Sequence, residues 1–167
     1  TEVPYGLHVD EAAMAYDAYC LSEYGVTRDL LSYPVYLMNY TSGQNALSSY
    51  LAAACYKVFG ASLFAARLPG VLFSLLTVFL GGRIVHRGLG KRAGLVGTAL
   101  LAVMPFFVSS ARFGLESYLL SGTSTLFLYL FIIAIEKKRW WLFALAGAAA
   151  GLAVYSYAVA DISVPYT

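Results

Sequence analysis

Long apolar runs separated by short polar segments make up most of this chain after residue 62. At about 1.5 Å per residue, some twenty helical residues cover the ~30 Å hydrocarbon layer of a bilayer. Backbone groups inside lipid must bond within their own segment, so such runs form helices. The pattern predicts an all-α polytopic membrane protein with about four transmembrane helices, over Leu63–Gly82, Ala93–Ser109, Ser117–Ile135 and Trp140–Val159.

The first 62 residues hold shorter apolar patches, which predict two helices at the outer membrane surface. The first covers approximately Glu11–Tyr24, with Asp10 as its N-cap and Glu11 in the first turn, where the helix dipole favours negative charge. The second covers Gln44–Phe59, after a turn-rich segment loaded with tyrosine. Because both carry too many polar groups to cross a bilayer, we expect them to be interfacial.

Composition supports a membrane protein and excludes most soluble classes. Hydrophobic residues make up 60% of the chain and charged residues 12%, against about 25% charged in soluble domains. A net charge of +2 is too small to indicate nucleic-acid binding. We divide the sequence into a first outer loop, 1–62, and a partial transmembrane domain, 63–167. Both ends are interpreted as cuts through a longer protein.

The distribution of charge predicts an orientation. Seven of the eleven basic residues follow the first and third spans, whereas Glu136 is the only one of nine acidic residues there. The positive-inside rule makes these loops cytoplasmic, and the short loops favour a bacterial plasma membrane. The remaining loops then face the other side, where carboxylates are expected to emerge from Asp10, Glu11, Asp17, Glu116 and Asp161.

Several short motifs follow one another in a characteristic order. An acidic pair precedes the first interfacial helix, Phe59-Gly60 precedes Ala65-Ala66-Arg67-Leu68-Pro69, and Ala111-Arg112-Phe113 is followed by an acid four residues after the arginine. This order resembles the amino-terminal part of GT-C class glycosyltransferases, in the protein-mannosyltransferase and aminoarabinose-transferase group. The resemblance implies transfer of a sugar from a polyprenyl-phosphate donor to a lipid, glycan or protein acceptor at the outer face.

The resemblance also implies roles for individual residues. Asp10 would be the base or acceptor-orienting carboxylate, with the adjacent Glu11 as a second catalytic candidate. Glu116 would help Asp10 hold a divalent cation, whose identity stays open. Arg112 would contact the donor phosphate, and Gln44 would bind sugar or phosphate oxygens. These roles agree with the chemistry, because a leaving phosphate needs positive charge and an acceptor hydroxyl needs a base.

The chain departs from the pattern of that group at two places. Residues 42–46 read Ser-Gly-Gln-Asn-Ala where many members have Lys-Pro-Pro, and glutamate stands at position 116 where aspartate is common. The first difference removes or replaces a lysine contact to the donor phosphate. A complete enzyme of this group also has a helix before Thr1 and many more after Thr167, so the resemblance implies that the isolated chain lacks much of the donor pocket and is inactive alone.

Each candidate also has a simpler interpretation. Asp10 and Glu116 could each cap a helix, Arg112 could extend to the membrane interface, Arg67 reads as a structural interfacial arginine, and His8 as a solvated loop residue. The chain as a whole could instead belong to a transporter or flippase, in which charged groups form a substrate path and no bond is made. A non-catalytic assembly subunit is a third interpretation.

Overall fold

The computed structural model describes residues 6–39 and 42–157, and within them it contains seven α-helices and one β-hairpin. By length and composition, two of these helices could cross a membrane, α3 and α6, and α7 is apolar but shorter. The elements are α1 (Val9–Tyr24), β1 (Tyr36–Asn39), β2 (Ser42–Asn45), α2 (Leu47–Phe59), α3 (Leu63–Leu89), α4 (Lys91–Val103), α5 (Pro105–Ser110), α6 (Ser117–Lys137) and α7 (Trp140–Ser156).

Helix α1 begins with a capping box centred on His8. The Nδ1 atom of His8 accepts a hydrogen bond from the Asp10 backbone N–H at 3.3 Å, and the Glu11 carboxylate accepts one from the His8 N–H, also at 3.3 Å. Two backbone donors at the helix end are thereby satisfied. The prediction that Asp10 is the N-cap is therefore wrong, and His8 is a cap and not merely a solvated loop residue.

Helices α1 and α2 pack against each other and against the start of α3. Their shared core contains small residues and a few larger ones, so the helices approach closely: Ala18, Leu21, Ala52, Ala53, Tyr56 and Ala65. Tyr16 and Tyr19 lie on the exposed side of α1. The apolar face of α1 is thus covered by protein.

An antiparallel hairpin joins α1 to α2, where the sequence predicted only turns. Tyr36 pairs with Asn45 in its register. Position 43 requires glycine, because a Cβ on Gly43 would lie 1.5 Å from the Tyr36 ring. Since residues up to Asn45 belong to β2, helix α2 starts at Leu47 and not at the predicted Gln44.

In the membrane domain, α3 packs against α4 and α6, and α6 packs against α7. Helix α3 continues to Leu89, beyond the predicted end at Gly82, so Arg83 and Arg87 lie in the helix and not in the predicted loop. The predicted span Ala93–Ser109 is divided into α4 and α5 at Met104, which has an extended backbone. Pro105 causes this break, because proline lacks an N–H and disfavours helical geometry at the preceding residue.

Two contacts fix the opposite ends of the bundle. Arg87, near the end of α3, is bonded to Glu136, near the end of α6, so the two basic loops share one end. At the other end, the Glu11 carboxylate bridges Arg67 and Gly114. The predicted separation of the basic loops from the first acidic residues is therefore confirmed in space. Asp161 and the predicted end of the fourth span lie outside the described residues.

Candidate active site at the carboxylate end of the bundle

A polar cleft of about 240 Å³ opens at the end of the bundle opposite the basic loops. Residues distant in the sequence meet there, from the first turn of α1, from β2, from the loop before α6 and from the end of α7. The cleft is lined by Asp10, Gly43, Gln44, Leu115, Glu116, Ser117 and Tyr157. The fold thus brings together three of the predicted site residues, Asp10, Gln44 and Glu116.

Glu116 is the most perturbed carboxyl group of this cleft. Burial raises its pKa to about 7, and the charge of Asp10 contributes in the same direction. Hydrogen bonds from the Asn45 backbone and the Gln44 side chain oppose this effect without cancelling it. Its Oε2 atom is buried and has no hydrogen-bond partner among the described residues. Glu116 therefore offers a carboxyl oxygen that protein groups in this part of the chain leave unsatisfied.

Helix capping does not account for the Glu116 side chain. Glu116 occupies the N-cap position of α6, but its side chain makes no capping hydrogen bond. The carboxyl group instead lines the cleft with Asp10. The simpler interpretation of Glu116 as a cap is therefore not what the structure shows.

Asp10 lies at the opening of the cleft. Its carboxylate is about half exposed, at 47%, and its Oδ2 atom is 3.5 Å from the Nδ1 of His8. Because His8 provides the N-cap, the Asp10 side chain does not have to cap α1. This leaves a solvent-accessible carboxylate at the edge of a polar cleft, which is the placement that a base acting on a bound hydroxyl requires.

Glu11 points in another direction and is completely buried. Its carboxylate accepts hydrogen bonds from Arg67 Nε at 2.6 Å, from Arg67 Nη2 at 3.0 Å and from the Gly114 backbone N–H at 2.9 Å. Arg67 Nη2 also donates to the Gly6 carbonyl at 2.9 Å. Burial alone would raise the pKa of Glu11, but the bonds from Arg67 and Gly114 and the charge of Arg67 outweigh it and lower the pKa.

The Glu11–Arg67 pair therefore acts as a clamp behind the cleft. It ties the start of α1 to α3 and to the loop before α6, the three segments next to Asp10 and Glu116. Arg67 is fully buried, so its interpretation as an interfacial residue is wrong, although a structural role fits. No local pattern reveals this pair, because its two residues are 56 positions apart.

Arg112 lies in a different cavity from the two cleft carboxylates. Its side chain is exposed and lines a mostly apolar cavity of about 280 Å³ between α3, α4 and α5. Among the described residues it forms no ion pair, with Glu116 or with any other group. The cavity is lined by Val71, Ser74, Leu75, Val78, Ala102, Phe107, Val108, Ala111 and Arg112.

A known protein family matches most of this chain. The model of a family described as dolichyl-phosphate-mannose-protein mannosyltransferase matches residues 45–165. The chain belongs to this family. No curated protein sequence gives a match.

A solved structure agrees with this assignment in its fold. The crystal structure of ArnT from Cupriavidus metallidurans in the apo state is similar with a TM-score of 0.78 over 92% of this chain, at 20% sequence identity. The present chain covers 29% of that protein. The prediction of a GT-C-like helical membrane protein is thus confirmed.

The perturbed carboxyl group gives a direct prediction. Glu116 should titrate near pH 7, and Asp10→Asn should lower that pKa because the charge of Asp10 helps to raise it. The folded protein binds the Glu116 proton more tightly than the unfolded chain does. The contribution of protonated Glu116 to the stability of the fold should therefore decline as pH rises from 4.5 to about 7. Infrared spectra should show a protonated carboxyl signal that persists above the pH at which ordinary carboxyl groups ionise and disappears near pH 7.

The matched variants make that signal specific. Glu116→Gln should remove it, whereas Glu23→Gln, at an exposed acid on α1, should leave it unchanged. Persistence of the signal in Glu116→Gln would show that another group titrates there.

Proposed function

We propose that this chain forms part of the active site of a glycosyltransferase, which moves a sugar from a polyprenyl-phosphate donor to an acceptor hydroxyl at the non-cytoplasmic membrane face. The observation that carries the proposal is the cleft in which Asp10, Gln44 and Glu116 meet. Family membership supports the reaction class. The collection of basic residues at the opposite end supports the orientation.

The reaction assigns a distinct task to Asp10. Its accessible carboxylate takes the proton of the acceptor hydroxyl as the acceptor oxygen bonds to the anomeric carbon of the sugar. The bond from that carbon to the phosphate oxygen breaks, and the polyprenyl phosphate leaves with the electron pair. A positioned base of this kind contributes about 10²–10⁴-fold to a rate.

We propose that the cleft also holds a divalent cation. Asp10, Glu116 and the amide oxygen of Gln44 would hold it, and the unpartnered Oε2 of Glu116 is an oxygen ligand of the type that Mg²⁺ prefers. When bound, the cation would supply positive charge toward the donor phosphate. Among the described residues, no three His, Cys, Asp or Glu side chains form a metal cluster, so water or substrate oxygens would complete the coordination. Added Mg²⁺ should lower the pH at which Glu116 titrates.

We propose that the lipid part of the donor occupies the cavity at Arg112. Arg112 stands at a cavity with apolar walls between α3, α4 and α5, a combination suited to a phosphate followed by a polyprenyl chain. Arginine binds phosphate through a planar fork of donors. Glu11 and Arg67 line neither the cleft nor this cavity, so we assign them the task of holding α1 in position.

The decisive experiment measures whether the bond between the sugar and the lipid phosphate is broken. The full-length protein that contains this chain is purified and reconstituted in liposomes with polyprenyl-phosphate mannose carrying a radiolabelled sugar. Nucleotide-linked mannose is the control donor. We expect label to leave the lipid, toward an acceptor or water, and to stay on the nucleotide. Movement of intact labelled lipid between leaflets, with no release of sugar, would overturn the proposal in favour of a transporter.

A further inference from the structure

A second concave surface lies at the basic end of the bundle, between α3 and α4. It has a volume of about 530 Å³ and is lined by Phe79, Gly82, Arg83, His86, Lys91, Gly94, Leu95 and Thr98. At its floor α3 and α4 are in close contact, and glycine allows this approach. A Cβ on Gly82 would lie 1.8 Å from the Thr98 Oγ1, and one on Gly94 would lie 2.5 Å from the His86 Cβ. We call this surface the basic groove.

The basic groove carries positive charge that protein groups do not neutralise. Arg83 and Lys91 are exposed, and within the described part of the chain their side chains form no ion pair or hydrogen bond. Arg87 differs, because it is bonded to Glu136 and lies 5.7 Å from the centre of the Tyr129 ring. Glu136, the one acid of this end, is therefore already engaged.

Apolar side chains lie one helical turn deeper in the groove than Arg83 and Lys91. Phe79 precedes Arg83 by four residues, and Leu95 follows Lys91 by four, so each pair shares a helix face. Phe79 is 60% exposed and Leu95 is 65% exposed. Because α3 and α4 run in opposite directions from their junction, both apolar groups lie toward the middle of the bundle. The groove thus has a basic rim above an apolar wall.

We propose that the basic groove binds an anionic phospholipid. The lipid phosphate lies between Arg83 and Lys91, and an acyl chain follows Phe79 and Leu95. The first backbone N–H groups of α4, which begins at Lys91, add donors and a favourable dipole at the rim. A free phosphate would use the rim alone, whereas the exposed apolar wall favours a lipid. This site is separate from the carboxylate cleft and does not depend on the proposed reaction.

Lipid retention measures this site directly. The purified protein is equilibrated in detergent with equal amounts of phosphatidylglycerol and phosphatidylcholine of identical acyl chains, and bound lipid is counted by native mass spectrometry. Each basic side chain at a membrane surface contributes about 1 kcal/mol to binding an anionic lipid. The double variant R83Q/K91Q should therefore hold phosphatidylglycerol about thirty-fold more weakly, and phosphatidylcholine unchanged.

Two further variants separate the site from general charge. K137Q/R139Q removes the same charge from the other basic loop and should keep phosphatidylglycerol binding. R83K/K91R keeps the charge of the groove and should also bind. An equal loss in K137Q/R139Q would overturn the proposal, as would displacement of the lipid by inorganic phosphate at the concentration of the lipid itself.

Discussion

Replacing Asp10 by asparagine is expected to lower sugar transfer by about 10²–10⁴-fold, the range that a positioned general base contributes. Asparagine keeps the size of the side chain but cannot take a proton from an acceptor hydroxyl. Folding should be preserved, because Asp10 is half exposed and His8, not Asp10, caps α1. The liposome assay with labelled polyprenyl-phosphate mannose measures the effect, and melting temperature checks the fold.

Glu23→Gln is the matched control for this experiment. Glu23 is an exposed acid on the same helix, at the end away from the cleft. The same change of charge there should leave transfer unchanged. Full activity of the Asp10→Asn protein would remove Asp10 from the mechanism, and equal losses in both variants would indicate a general effect of charge.

Breaking the Glu11–Arg67 pair should produce the largest change in stability. Removing one member of a buried ion pair typically costs about 3–5 kcal/mol, because the other charge stays buried without its partner. Arg67→Met would leave the Glu11 carboxylate buried without its cationic partner. Glu11→Gln would also weaken the bond with the Gly114 N–H. We expect the free energy of unfolding, measured with denaturant, to fall by this amount in either variant.

A double variant and a surface control test the physical reason. E11Q/R67M should lose much less than the sum of its single changes, since no buried charge is left. Arg87→Met breaks the exposed pair with Glu136 and should cost about 0–1 kcal/mol. Additive losses in the double variant would contradict the assignment of a coupled clamp.

The pH dependence of the clamp has a defined sign. Because the pKa of Glu11 is lowered from its ordinary value of 4.5, its contribution to stability is complete above that pH. It is lost as pH falls through the folded-state pKa. This is opposite to Glu116, whose raised pKa makes the folded state lose stability as pH rises.

Several features of the fold could be predicted because they depend on local chemistry. Apolar runs of sufficient length must become helices in lipid, and Pro105 had to interrupt one of them. The ends of the bundle were also predictable from charge, since most of the basic residues cluster in two short segments of the sequence. The contact between Arg87 in α3 and Glu136 in α6 confirms that these two basic segments lie at the same end of the bundle.

The hairpin before α2 could not be predicted in the same way. Its second strand reads Ser-Gly-Gln-Asn, which has low strand propensity. It forms because the register places Gly43 under the Tyr36 ring, a contact between two strands that neither strand specifies alone.

By itself, the sequence determined which segments are helices and that Asp10, Glu11, Arg112 and Glu116 belong to one end of the bundle. The tertiary structure decided what each of them faces. Successive helical residues point about 100° apart, so packing of α1 against α2 and the start of α3 turns Glu11 into the interior toward Arg67 and leaves Asp10 at the cleft. A similar divergence within the loop before α6 directs Arg112 to one cavity and Glu116 to the other. Spacing along a chain limits how far apart side chains lie, but only packing against other elements sets their direction.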